Sequence, residues 1–87
     1  KEADAVVLFP GGFGTLDEGM EVMTLVQTQR IRPFPIILAG VDYWRGLFEW
    51  IKSQLLSQRL ISPDDMDIIE LLDTPEEIVE TVSKVLI

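Results

Sequence analysis

Apolar positions along the chain alternate between unbroken runs and helical stripes. Ala5, Val6, Val7, Leu8 and Phe9 form an uninterrupted run, the pattern of a strand buried on both faces of a parallel sheet. From Thr15 the period changes. At about 100° per residue, Leu16, Met20, Met23, Val26 and Ile31 gather on one side of a helix predicted over residues 15–29. Val22 and Leu25 widen that apolar arc, while Asp17, Glu21, Thr24 and Thr28 form the polar face. Pro33 and Pro35 keep the next segment extended, and Ile36, Ile37 and Leu38 give a second buried strand ended by Ala39 and Gly40. Asp42 is placed to cap a second helix over residues 43–57, whose stripe of Trp44, Leu47, Phe48, Ile51 and Leu55 reads as core. Residues 62–67 read as an acidic solvated loop. Ile68, Ile69, Leu71 and Leu72 then form a short strand that Glu70 marks as near an edge. The last helix opens on Thr74 as cap, Pro75 at its first position and Glu77 closing a capping box, and buries Ile78, Val82, Val85 and Leu86.

This order, β-α-β-α-β-α, predicts an α/β fold with right-handed crossovers: a Rossmann-like three-layer parallel sheet with flanking helices. Three parallel strands leave at least one long apolar edge open, and 87 residues bury only a modest core. The chain is therefore expected to be a partial domain. A ligand of such a sheet sits beyond the carboxyl ends of its strands.

At that end of the first strand stands Pro10-Gly11-Gly12-Phe13-Gly14-Thr15-Leu16-Asp17-Glu18. Three glycines in four positions open the backbone to positive φ angles and leave no side chain between its amides and a ligand. The first N–H groups of a helix lack partners and carry the positive end of its dipole, so the turn is an anion site, with phosphate as the expected anion. It is not a dinucleotide fingerprint, because Asp17 stands at the third glycine position, nor a Walker A loop, because no Lys is near. Glu18 has two readings. With Thr15 it fits S/T-x-x-E, a capping box. Alternatively it faces the ligand: it lies roughly 4 to 5 Å along the axis from Thr15, about the offset between a 5′-phosphate and its ribose. There a carboxylate suits the positive charge that grows as an N-glycosidic bond breaks, and partial burial between Val22 and Leu25 would raise its pKa toward the range useful in acid-base work.

Composition narrows the chemistry. Seven basic against fifteen acidic residues give a net charge of −8, which argues against DNA or RNA as partner but leaves a single nucleotide allowed. Without Cys or His there is no disulfide framework, no thiolate nucleophile, no Ser/His/Asp arrangement and almost no zinc chemistry. Asp64, Asp65 and Asp67 lack the spacing of a calcium loop, so no metal is expected. No apolar run reaches the roughly 20 residues that span a bilayer, no signal peptide is visible, and a cytoplasmic protein is expected. Arg30 and Arg32, the one close basic pair, are expected to complement the carboxyl end of the first helix.

The stretch PGGFGTLDE resembles closely the PGGxGTxxE signature of the LONELY GUY (LOG) family of nucleoside monophosphate phosphoribohydrolases, with every fixed position present. The resemblance covers essentially the whole chain and implies that residues 1–87 are the C-terminal half of a single LOG-type nucleotide-binding domain. It further implies hydrolysis of a nucleoside 5′-monophosphate, a cytokinin ribotide or AMP, to free base and ribose 5-phosphate, without a cofactor. Glu18 would be the catalytic residue; Gly11, Gly12, Phe13, Gly14 and Thr15 would bind the substrate phosphate, with Thr24 near the substrate. The wide apolar arc of the helix at 15–29 is covered either by another helix of the rest of the domain or by a second copy, and the resemblance implies the latter, a homodimer. Family members carry a catalytic Arg shortly before the strand that leads into the motif, and no Arg stands there in this sequence. The alternative is a nucleotide-binding protein without turnover, like the molybdenum-cofactor carriers of the same superfamily. Proteins with this signature also bear a lysine decarboxylase label, but Lys1, Lys52 and Lys84 are placed by no visible cofactor motif.

Overall fold

The computed structural model of the chain describes residues 5–30 and 34–86. Its elements are β1 (Val6–Leu8), α1 (Phe13–Gln27), β2 (Ile36–Ala39), α2 (Val41–Trp50), α3 (Pro63–Asp67), β3 (Ile69–Leu72) and α4 (Pro75–Leu86), with α2 continuing into a π-helical segment, Ile51–Leu56. The three strands are parallel in the order β1-β2-β3. Val6 pairs with Ile36 and Leu8 with Leu38; Ile36 in turn pairs with Ile69 and Leu38 with Leu71. β2 is the middle strand and all four of its residues are buried, as an apolar run covered on both faces requires. β3, with Glu70 exposed, lies at the edge of this sheet. The arrangement is a partial Rossmann-like α/β domain.

The core joins alternate strand residues, Leu8, Ile36, Leu38 and Ile69, to Trp44 and Ile51 of the second helix and Met66 of α3. Leu16, Val22 and Met23 of α1 pack on the same cluster as Leu47 and Phe48 of α2, so the two crossover helices share one face of the sheet. The predicted stripe of the second helix is thus the core stripe, with Trp44 only 2% exposed. The opposite parity of β2, Ile37 and Ala39, is buried too.

Four boundaries differ from the sequence reading, each for a local reason. α1 starts at Phe13 with Gly12 as its N-cap and no side-chain cap bond, so Thr15 lies inside the first turn and the Thr15–Glu18 capping box does not form. The helix ends at Gln27, not at 29: the Arg30 amide donates to the Leu25 carbonyl and the Gln29 amide to Val26, a Schellman closure with Gln29 at φ 62°. The second helix begins at Val41 because Gly40, at φ 103°, caps it in place of Asp42, and the Asp73 carboxylate accepts the Val41 N–H at 2.8 Å. Residues 62–67 are not a loop. Ser62 and Asp65 form a reciprocal capping box, with Pro63 in the first turn, and nucleate α3. α4, by contrast, starts as predicted: Glu77 accepts the Asp73 and Thr74 amides and returns its own N–H to the Thr74 hydroxyl. Ile78 and Val82 are half-buried, while Ile31, Arg32 and the side chains of Val85 and Leu86 lie outside the described residues.

Candidate functional site

β1 delivers the chain to the carboxyl edge of the sheet, where Phe9 and Pro10 are exposed and Gly11 and Gly12 turn it into α1. The first helical bond is Leu16 N–H to Gly12 O, at 3.2 Å. The amides of Gly12, Phe13, Gly14 and Thr15 therefore have no partner within the helix, and they stand at its positive end.

The three glycines differ in what holds them there. A Cβ at Gly11 would collide with the Thr15 side chain, so this position is glycine for packing reasons within the chain. A Cβ at Gly12 or Gly14 would meet nothing within 4 Å. Nor does conformation demand glycine, because Gly40 is the one described glycine with positive φ; the positive φ angles expected of the motif are not used. Gly12 and Gly14 are thus small where neither the backbone nor any described neighbour requires it. The surface over the four amides is open.

The neighbouring β2–α2 turn packs against this one. A Cβ at Gly40 would come to 3.3 Å from Pro10 Cγ, and the Tyr43 hydroxyl donates to the Gly11 carbonyl oxygen. Asp73 at the end of β3 holds the start of α2 through the Val41 amide. The ends of β1 and β2 therefore meet at the glycine turn, and the end of β3 is tied to the start of α2, on the side of the sheet where an open parallel sheet binds its ligand. Tyr43 lies outside the apolar stripe read for the second helix.

Among the other predicted residues, Phe13 occupies the first helical position and is 89% exposed. Thr15 is half-buried against Gly11. Glu18 is exposed, so the partial burial expected between Val22 and Leu25 is absent from the described chain. It projects from the same helix one turn beyond Thr15. Thr24 is not brought to the turn. Nine residues along α1 place it roughly 13 Å from Thr15 on the axis, and its hydroxyl donates to the Met20 carbonyl at 2.8 Å. It lines instead an apolar groove between α1 and the far end of the second helix, with Met20, Met23, Ile51 and Leu55.

Of the acidic trio, Asp65 is engaged in the cap of α3, and among the described residues no group of three or more His, Cys, Asp or Glu could hold a metal ion. Among the described residues, no helix is long and apolar enough to cross a membrane. Lys52 lies in the π-helical segment with its amine 5.6 Å from the centre of the Phe48 ring, and Lys84 is in the last turn of α4. Both helices start at the strand carboxyl ends. At 1.5 Å per residue, both lysines lie well over 10 Å down their axes from the glycine turn.

A family model described as possible lysine decarboxylase matches residues 1–82. A protein of Oryza sativa subsp. japonica named probable cytokinin riboside 5′-monophosphate phosphoribohydrolase is 37% identical over 81 residues, which cover 92% of this chain and 32% of that protein. A second rice protein with the same name stem is 36% identical over the same shares. The cytokinin riboside 5′-monophosphate phosphoribohydrolase of Arabidopsis thaliana with 37% identity matches 92% of this chain and 37% of its own length. The chain spans about a third of the length of these curated relatives.

Proposed function

This chain belongs to the LOG family, the family whose model is described as possible lysine decarboxylase, and from that premise we propose that it is part of a nucleoside 5′-monophosphate phosphoribohydrolase. One observation carries the reading: Gly12 and Gly14 lack side chains where neither their backbone conformation nor any described neighbour excludes one. A ligand accounts for that space. The free amides of Gly12, Phe13, Gly14 and Thr15, with the Thr15 hydroxyl, hold the 5′-phosphate as three or more directed donors at the positive end of a helix.

With the phosphate on that turn, Glu18 reaches the ribose. It touches the phosphate least and the sugar most, as a carboxylate should. The bond between ribose C1′ and the base nitrogen breaks with its electron pair on the base, which takes up a proton. The hydroxyl of a water molecule ends on C1′, giving free base and ribose 5-phosphate. Glu18 stabilises the positive charge that develops on the ring and handles the water's proton. The Arg that the family carries ahead of its motif strand is supplied from outside these 87 residues, and the described segment forms one continuous nucleotide-binding domain with the remainder of the protein. The matched relatives, named for action on cytokinin riboside 5′-monophosphates, support that substrate class.

A decarboxylase reading finds no support in the residues. Chemistry through a Schiff base needs a lysine at the site, and the two lysines among the described residues, Lys52 and Lys84, sit toward the opposite end of their helices. The second reading is a carrier that binds a phosphorylated ligand without turnover, which the exposure of Glu18 in the described chain favours. The full-length protein, incubated with AMP and with isopentenyladenosine monophosphate and followed by chromatography, separates the two. Stoichiometric release of base and ribose 5-phosphate is the expected result. Tight binding with no release from either substrate would leave the carrier.

A further inference from the structure

We propose that Tyr43 is a positioning residue of the phosphate turn. Its hydroxyl donates to the Gly11 carbonyl oxygen, from a helix 32 residues further along the chain. In a trans peptide the carbonyl of one residue and the N–H of the next point in opposite directions, and no described peptide is cis. Holding the Gly11 oxygen toward α2 therefore turns the Gly12 N–H away from α2, at a residue where a Cβ would meet nothing within 4 Å. Released from Tyr43, the Gly11–Gly12 peptide plane is free to rotate, because two adjacent glycines resist it little.

The anchor itself is rigid. Tyr43 stands in the first turn of α2, and its amide donates to the Gly40 carbonyl. Gly40 is fixed in turn by its own N–H on the Leu72 carbonyl, and Pro10 is near enough that a Cβ at Gly40 would come to 3.3 Å from its Cγ. The Tyr43 ring packs edge-on against Trp44, with centroids 5.0 Å apart, and Trp44 is sunk in the core. The glycine turn is thus oriented from the sheet through α2, and Tyr43, 46% exposed, is the contact that transmits it. The residue acts through the Gly12 amide and is not a catalytic residue.

This inference rests on the turn being the phosphate site, and the test keeps the two apart. Ribose 5-phosphate and adenosine, neither of them hydrolysable by the proposed reaction, are titrated calorimetrically into the full-length protein and its Tyr43→Phe variant. The variant keeps the ring and its contact with Trp44 and loses only the donor. The expected result is a five- to tenfold weaker ribose 5-phosphate affinity, about the effect of one misdirected hydrogen bond to a charged group, with adenosine affinity changed less than about twofold and the melting temperature nearly unmoved. Unchanged ribose 5-phosphate affinity, or equal weakening of both ligands, would overturn the positioning role while leaving the phosphate site standing. Failure of the parent protein to bind ribose 5-phosphate would overturn the phosphate site and this role with it.

Discussion

Gly14 shows most plainly how a single residue separates fold from function here. It is a helical residue in the first turn of α1 with open space where a side chain would be. In a helix, alanine is favoured over glycine by up to about 1 kcal/mol. Gly14→Ala should therefore leave the melting temperature unchanged or raise it, while a methyl group in the path of the phosphate weakens nucleotide affinity about tenfold or more, that is by at least about 1.4 kcal/mol. Parallel melting and binding measurements on the full-length protein check both halves. Glu77 offers a test by pH. The Thr74 backbone N–H, then that of Asp73, hold its carboxyl below the usual glutamate range although it is fully exposed. A lowered folded pKa means that the stability it contributes is present above the unfolded pKa and is lost as pH falls through the folded one. Glu77→Gln should accordingly lower the melting temperature at neutral pH, and the difference from the parent should shrink as both are acidified.

Legibility at the scale of elements followed the reach of the signals. The start of α4 was readable because Thr74, Pro75 and Glu77 act within one turn. The same signals in Ser62, Pro63 and Asp65 nucleate α3, where density of acidic residues had suggested a loop. The end of α1 was illegible for a different reason: it closes on a left-handed residue that is not glycine, Gln29 at φ 62°, as the second helix does on Arg59 at φ 63°. Each makes a Schellman pair of bonds, Leu60 N–H to Leu55 O and Arg59 N–H to Leu56 O in the second case. An L side chain in that conformation costs about 1 kcal/mol. Gln29→Gly and Arg59→Gly should each raise stability by roughly 0.5 to 1 kcal/mol, read as a shift in the denaturant midpoint without a change in slope. Gly19, inside α1, runs against helical preference. The structure supplies the reason: it is buried, and a Cβ there would come to 2.8 Å from Leu8 Cδ1, so α1 lies close on β1 through a glycine. Contacts of that kind, like Tyr43 on Gly11, join residues far apart in sequence and leave no periodic trace.

Across the whole molecule, α1 runs from the glycine turn to the apolar groove beside the second helix. Its amino end carries the glycine turn. Further down, Met20 is exposed beside the apolar groove shared with Met23, Ile51 and Leu55. On the proposal that a second copy covers this helix, Met20→Glu should shift the full-length protein from dimer to monomer in light scattering, whereas an unchanged mass would remove α1 from the interface. The exposure of Glu18 belongs to the same scale. Glu18 is open in a chain that spans about a third of the length of its matched relatives, and on the proposed function the remainder of the protein would supply its catalytic surroundings. The measurement that decides is chromatographic: release of adenine and ribose 5-phosphate from AMP by the full-length protein and by Glu18→Gln, with ribose 5-phosphate binding followed in parallel. Release by the parent, reduced by at least about a hundredfold in the variant while binding persists, is the predicted result. Equal release by both proteins would contradict the role of Glu18, and release by neither would contradict the hydrolase.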